Sequence, residues 1–96
     1  MAKKRLLIVA HSPSDNTKLL LQAVVGGASA VSENRIEVVA QGPFETMPDD
    51  VLCSDALILG TTENLGYMSG ALKDFFDRIY YPCLEEKQGL PYCLFI

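Results

Sequence analysis

Two short segments hold most of the side chains able to bind a ligand. The first is His11-Ser12-Pro13-Ser14-Asp15-Asn16-Thr17, directly after the apolar run RLLIVA at residues 5–10. Ser12, Ser14, Asn16 and Thr17 place hydroxyl and amide donors beside an expected helix N-terminus, where free N–H groups and the helix dipole favour a phosphate. The loop contains no glycine, so it is neither a Walker loop nor a GxGxxG fingerprint, and Lys18 lies just beyond it. In the second segment, Gly60 and Gly66 bracket Thr61, Thr62, Glu63, Asn64 and Leu65, with Tyr67 and Met68 following. Such a loop can lay backbone amides along the edge of a flat heterocycle.

Each segment also has a plainer interpretation. Ser, Asn and Asp favour turns in any protein, and one of them capping a helix is an ordinary event. Asp15 would repel a bound phosphate unless it points away. His11 has no Ser or Cys nucleophile convincingly paired with it, so a structural hydrogen-bonding role is expected for it. The glycines of the second segment serve tight turns equally well. A common rim of one sheet would favour the ligand-binding alternative for both segments.

The surrounding pattern supplies such a rim. Residues 5–10 form a continuous apolar run, the signature of a strand covered on both faces. Asn16 or Thr17 is expected to cap a helix to about Val31, with Leu20, Ala23, Val24, Gly27, Ala28 and Val31 inward. A second strand, RIEVVA at residues 35–40, has the mixed polarity of an edge. Pro48, Asp49 and Asp50 suit the first turn of a short helix. DALILG at residues 55–60 is the expected central strand. Ser69 is expected to cap a helix to about Tyr80 with Met68, Leu72, Phe75, Phe76 and Ile79 inward, ended by Pro82. Lys73 with Asp77 and Asp74 with Arg78 are spaced for ion pairs. PYCLFI at residues 91–96 is the fourth strand. Crossovers of this length enforce parallel, right-handed pairing. The expectation is one α/β domain over residues 1–96, a doubly wound parallel sheet of order 2-1-3-4. Its reversal then falls between the first and third strands.

Composition narrows the class further. The 96 residues carry a net charge of −4, 49% apolar and 21% charged side chains, an ordinary globular balance. The acidic charge argues against a nucleic-acid surface, and no apolar run reaches the ~20 residues of a membrane helix. Cys53, Cys83 and Cys93 form no CxxC pair, which supports neither a metal site nor a disulfide framework. Reduced thiols and a cytoplasmic location are expected.

GTTENLGYMSGALKDFFDR resembles the strand-loop-helix signature of the flavodoxin-like superfamily. It is most similar to its NAD(P)H-dependent FMN reductases and flavodoxin-like quinone reductases. The matching residues are Gly60, Thr61, Gly66, Met68, Ser69, Gly70, Lys73, Phe75 or Phe76, Asp77 and Arg78. HSPSDNT resembles the phosphate loop of the same families. The resemblance implies a flavodoxin-like fold with FMN as cofactor, its phosphate held by Ser12, Ser14, Asn16 and Thr17. The isoalloxazine would then lie against Thr61, Thr62, Glu63, Asn64, Leu65, Gly66, Tyr67 and Met68. No protein acid, base, nucleophile or metal is required, because the flavin carries the electron chemistry. Thr62 stands where the family usually has Pro, and Asn64 and Leu65 where an aromatic residue often packs on the flavin.

The implied activity is reduction of quinones or similar small acceptors by NAD(P)H. An electron-transfer module of the flavodoxin type, and a fragment of this fold that no longer binds flavin, are the alternatives. Families of this fold continue past the fourth strand into a third flavin loop, a further strand and helices. The sheet is accordingly expected to be incomplete on that side, and a homo-oligomer is expected to complete the exposed edge.

Overall fold

The computed structural model describes residues 3–96. Four strands form one parallel sheet: β1 (Lys4–Ala10), β2 (Ile36–Gln41), β3 (Ala56–Gly60) and β6 (Tyr92–Phe95), in the spatial order β2-β1-β3-β6. This is the expected 2-1-3-4 order, with β6 as the fourth strand. Between them lie helices α1 (Asp15–Ser32), α2 (Pro48–Leu52) and α3 (Gly70–Cys83). The chain moves from β1 outward to β2, then reverses from β3 to β6. Right-handed crossovers in opposite directions put α1 on one face and α2 with α3 on the other.

The core lies on the α2/α3 face. Leu7, Val9, Val51, Leu57, Leu59, Leu72, Phe75 and Ile79 form one buried cluster, with Met68 and Phe76 packed against it. The expected stripe of α3 is therefore inward. On the α1 face Ile8 is fully buried. The second strand occupies the expected edge, and the other edge, β6, exposes Tyr92, Leu94 and Ile96.

Three local expectations are corrected. Ser14, not Asn16 or Thr17, caps α1, because its hydroxyl accepts from the Thr17 amide while the Thr17 side chain accepts from the Ser14 amide. The inward face of α1 also differs from the expected one: Thr17, Leu21, Val24, Val25, Ala28 and Ser32 are its half-buried or buried positions. Of the expected stripe Val24 and Ala28 are half-buried, whereas Leu20, Ala23, Gly27 and Val31 are exposed. Pro82 does not end α3, which runs one residue further to Cys83. A proline in the last turn forfeits a single i→i−4 bond and keeps a helical φ.

The second loop holds a correction of its own. It contains a small antiparallel hairpin, β4 (Glu63–Asn64) with β5 (Tyr67–Met68), pairing Glu63 with Met68 and Asn64 with Tyr67.

Candidate functional site

Ala10 and Gly60 are register partners at the ends of β1 and β3, and the His11 amide donates to the Gly60 carbonyl at 3.0 Å. Both loops therefore leave the sheet side by side on the same rim. That rim is the topological switch point, where α/β sheets open a crevice because the two following helices diverge to opposite faces.

In the first loop the capping box consumes two of the expected hydroxyl donors. Ser14 Oγ lies 3.0 Å from Thr17 Oγ1, and Thr17 Oγ1 also donates to the Ser14 carbonyl at 2.9 Å. The Thr17 and Lys18 amides are bonded to Ser14 Oγ and the Ser14 carbonyl. This leaves the Asp15 and Asn16 amides, together with the Ser12 and Asn16 side chains, without hydrogen-bond partners among the described residues. Anion-binding capacity here resides in two backbone N–H groups at the head of an 18-residue helix. The Ser14 and Thr17 hydroxyls hold the helix start in shape. Asp15 occupies the first helical position, exposed to solvent.

The second loop is fixed at its base and free at its tip. Thr61 Oγ1 accepts from the Ser69 amide at 2.9 Å and donates to the Thr62 carbonyl at 2.8 Å. The Thr61 amide donates to the Phe95 carbonyl at 3.2 Å, which ties the loop to β6. Ser69 is fully buried, and its hydroxyl caps α3 by accepting from the Leu72 amide. Leu65 and Gly66 have φ of 54° and 75°, successive positive values of the kind a two-residue hairpin turn requires. This turn makes Leu65 the most exposed large apolar residue among the described residues, with Tyr67 56% exposed beside it. Thr62 is half-buried, and Glu63 and Asn64 are exposed. The Met68 side chain packs on the core rather than projecting from the tip.

The Phe95 ring lies across Gly60, its register partner, in the space a Cβ at Gly60 would fill. Beneath the second loop an apolar cavity of about 570 Å³ is walled by Leu59, Met68, Leu72, Phe76 and Leu94. Among the described residues no group of His, Cys, Asp or Glu is arranged to hold a metal ion, and no helix is long and apolar enough to cross a membrane.

The chain is 30% identical over 91 residues to a flavodoxin of Aquifex aeolicus (strain VF5), a match covering 95% of this chain. The fold is flavodoxin-like. The match covers 48% of the Aquifex protein, so this flavodoxin-like chain spans about half the length of the relative it matches. No protein-family model matches the chain.

Sequence reasoning missed one contributor to the rim. Arg78, expected as the partner of Asp74 and as a residue of the helix signature, bonds Asp74 Oδ2 at 2.7 Å and also donates to the Thr46 carbonyl at 2.7 Å and to the Pro43 carbonyl. It thus anchors the turn that follows β2, a contact across more than thirty residues that has no local signal.

Proposed function

We propose that this chain is the FMN-phosphate and ring-edge portion of a flavin-binding electron-transfer module. The observation that carries this reading is the pairing of two loops at one switch point, one presenting unpaired helix-start amides and the other an exposed hairpin. The likeness to the Aquifex flavodoxin supports it. The Asp15 and Asn16 amides with Ser12 and the Asn16 side chain would hold the phosphate. The backbone of residues 61–66 and the Tyr67 ring would meet the isoalloxazine. FMN, when bound, supplies one- and two-electron transfer. The protein residues bind and orient it and set the dielectric and charge around it.

A finer reading, NAD(P)H-dependent reduction of a quinone or similar flat small acceptor, is favoured by the apolar cavity beside the second loop. An apolar wall next to a ring site suits a planar, uncharged acceptor.

The test is a visible absorption spectrum of the chain after addition of FMN and desalting. A retained, perturbed flavin band is the expected result. A colourless protein overturns the reading for this chain. With flavin retained, stimulation of NAD(P)H oxidation by a quinone separates the reductase from a carrier. Asp15→Asn is expected to tighten FMN several-fold, because it removes a negative charge next to the phosphate amides while keeping the helix start.

A further inference from the structure

A second cavity, of about 440 Å³, lies on the β2 side of β1, where β1 and β2 end and α1 begins, and shares Ser12 with the first loop. Two buried side-chain atoms of its lining residues have no hydrogen-bond partner among the described residues: His11 Nδ1 and Gln41 Oε1. Gln41 is the last residue of β2 and pairs with Val9, two positions before His11, so strand register places both residues at the same end of the sheet, bordering one cavity. Buried polar groups are paired in nearly all native proteins, and two orphans in one cavity call for an explanation. Gln41 Oε1 can only accept a hydrogen bond. The missing partner must therefore bring a donor.

The rest of the lining defines that partner. Glu45 adds a carboxylate from the turn after β2, its side chain folded against Gly42. Lys18 adds a cation from the first turn of α1, with no salt bridge among the described residues. Phe44 stands at the same cavity as an exposed residue, 63% accessible. Acceptors, an open aromatic face and a cation together match a flat ring bearing an amino group and joined to an anion. The volume suits one nucleotide and exceeds what a single water needs.

We propose that this cavity binds an adenine nucleotide. The exocyclic amino group donates to Gln41 Oε1, the base stacks on Phe44, and the phosphate lies toward Lys18. Adenine offers a donor and an adjacent ring-nitrogen acceptor on one edge, which Gln41 and His11 can meet together. Stacking of a base on an aromatic side chain is sequence-tolerant, so the amino contact supplies the selectivity. This inference does not rest on flavin binding. Flavin retention is read from the visible band, and the second cavity has its own reporter.

His11 is the chain's single histidine, so its ring resonances in a proton–carbon NMR spectrum are unambiguous. Titration with adenosine monophosphate is expected to shift them saturably. Inosine monophosphate, with a carbonyl in place of the amino group, is expected to bind at least tenfold more weakly, and Gln41→Leu to weaken adenosine monophosphate by a similar factor. No saturable shift, equal binding of the two nucleotides, or unchanged affinity in Gln41→Leu overturns the proposal. The same shift from inorganic phosphate alone also overturns it, because it would place binding at the helix start. If Gln41→Leu fails to fold by circular dichroism, Phe44→Ala, which alters an exposed ring, decides the matter. Loss of the response supports the site, and an unchanged response removes it.

Discussion

Leu65 is the residue whose conformation and exposure both run against its chemistry. It sits at φ 54° at the hairpin tip and is fully exposed. An L-residue pays roughly 1–2 kcal/mol for the left-handed region, a cost glycine avoids. Leu65→Gly is expected to stabilise the chain by about 1 kcal/mol in urea unfolding, with unchanged β4–β5 cross-strand contacts by NMR; destabilisation would show that the side chain holds the tip. The three cysteines differ in the same local way. Burial, the largest influence, raises the pKa of the Cys83 thiol, while Cys53 and Cys93 are exposed. Thiolates are the reactive form. A thiol-specific reagent near neutral pH should label Cys53 and Cys93 well before Cys83. The folded state holds the Cys83 proton more tightly than the unfolded chain. Stability linked to this group is thus intact at neutral pH and declines as pH rises past the ordinary thiol range.

At the scale of elements, caps and one long-range clamp set the rim. Ser14 and Thr17 satisfy each other and the first turn of α1. Ser14→Ala should cost about 1 kcal/mol of stability, measured by denaturant unfolding, and should lower helicity at the N-terminal end of α1. Arg78 joins α3 to the turn at residues 43–46 through two carbonyls. Charge-assisted bonds of this kind are worth about 1.5–3 kcal/mol each when partly buried. Arg78→Leu is expected to destabilise by about 2 kcal/mol and to speed amide exchange in residues 43–46, whereas Asp74→Asn, which leaves both carbonyl bonds in place, should do neither.

Element boundaries show how much was legible locally. The apolar runs and the Ser69 cap placed β1, β3 and α3 closely. The inward face of α1 was not legible, because LLLQAVVGGASAV is apolar around most of the helix and no moment selects a side. The hairpin in the second loop was missed because its strands are two residues long, too short for a periodicity, and its turn contains a leucine where glycine or asparagine is the usual signal.

At the scale of the whole molecule, stability rests on one face of the sheet. Phe75 is fully buried between α3 and the strands, among Leu7, Val9, Leu72 and Leu59. Phe75→Ala should remove about 3–5 kcal/mol, a large share of what a domain of this size possesses. Thermal unfolding monitored by circular dichroism should show a sharply lowered midpoint or no cooperative transition. The β6 side is built differently. Phe95 needs the bare backbone of Gly60 beneath its ring, while Tyr92 and Leu94 stay largely exposed.

The sequence by itself determined the strand–helix alternation, the parallel 2-1-3-4 order and the two loops at its reversal. Apolar runs, crossover lengths and chain handedness are local or generic constraints. The likeness of GTTENLGYMSGALKDFFDR to flavodoxin-like proteins was equally open to view. Only the tertiary structure decided which donors remain available. Capping geometry consumed the Ser14 and Thr17 hydroxyls and left two amides, and Thr61 turned inward to Ser69. The same holds for the unpartnered His11 and Gln41, which lie thirty residues apart and border one cavity through strand register. Hydrogen-bond satisfaction is a property of the folded neighbourhood, so no residue type or spacing announces it in advance.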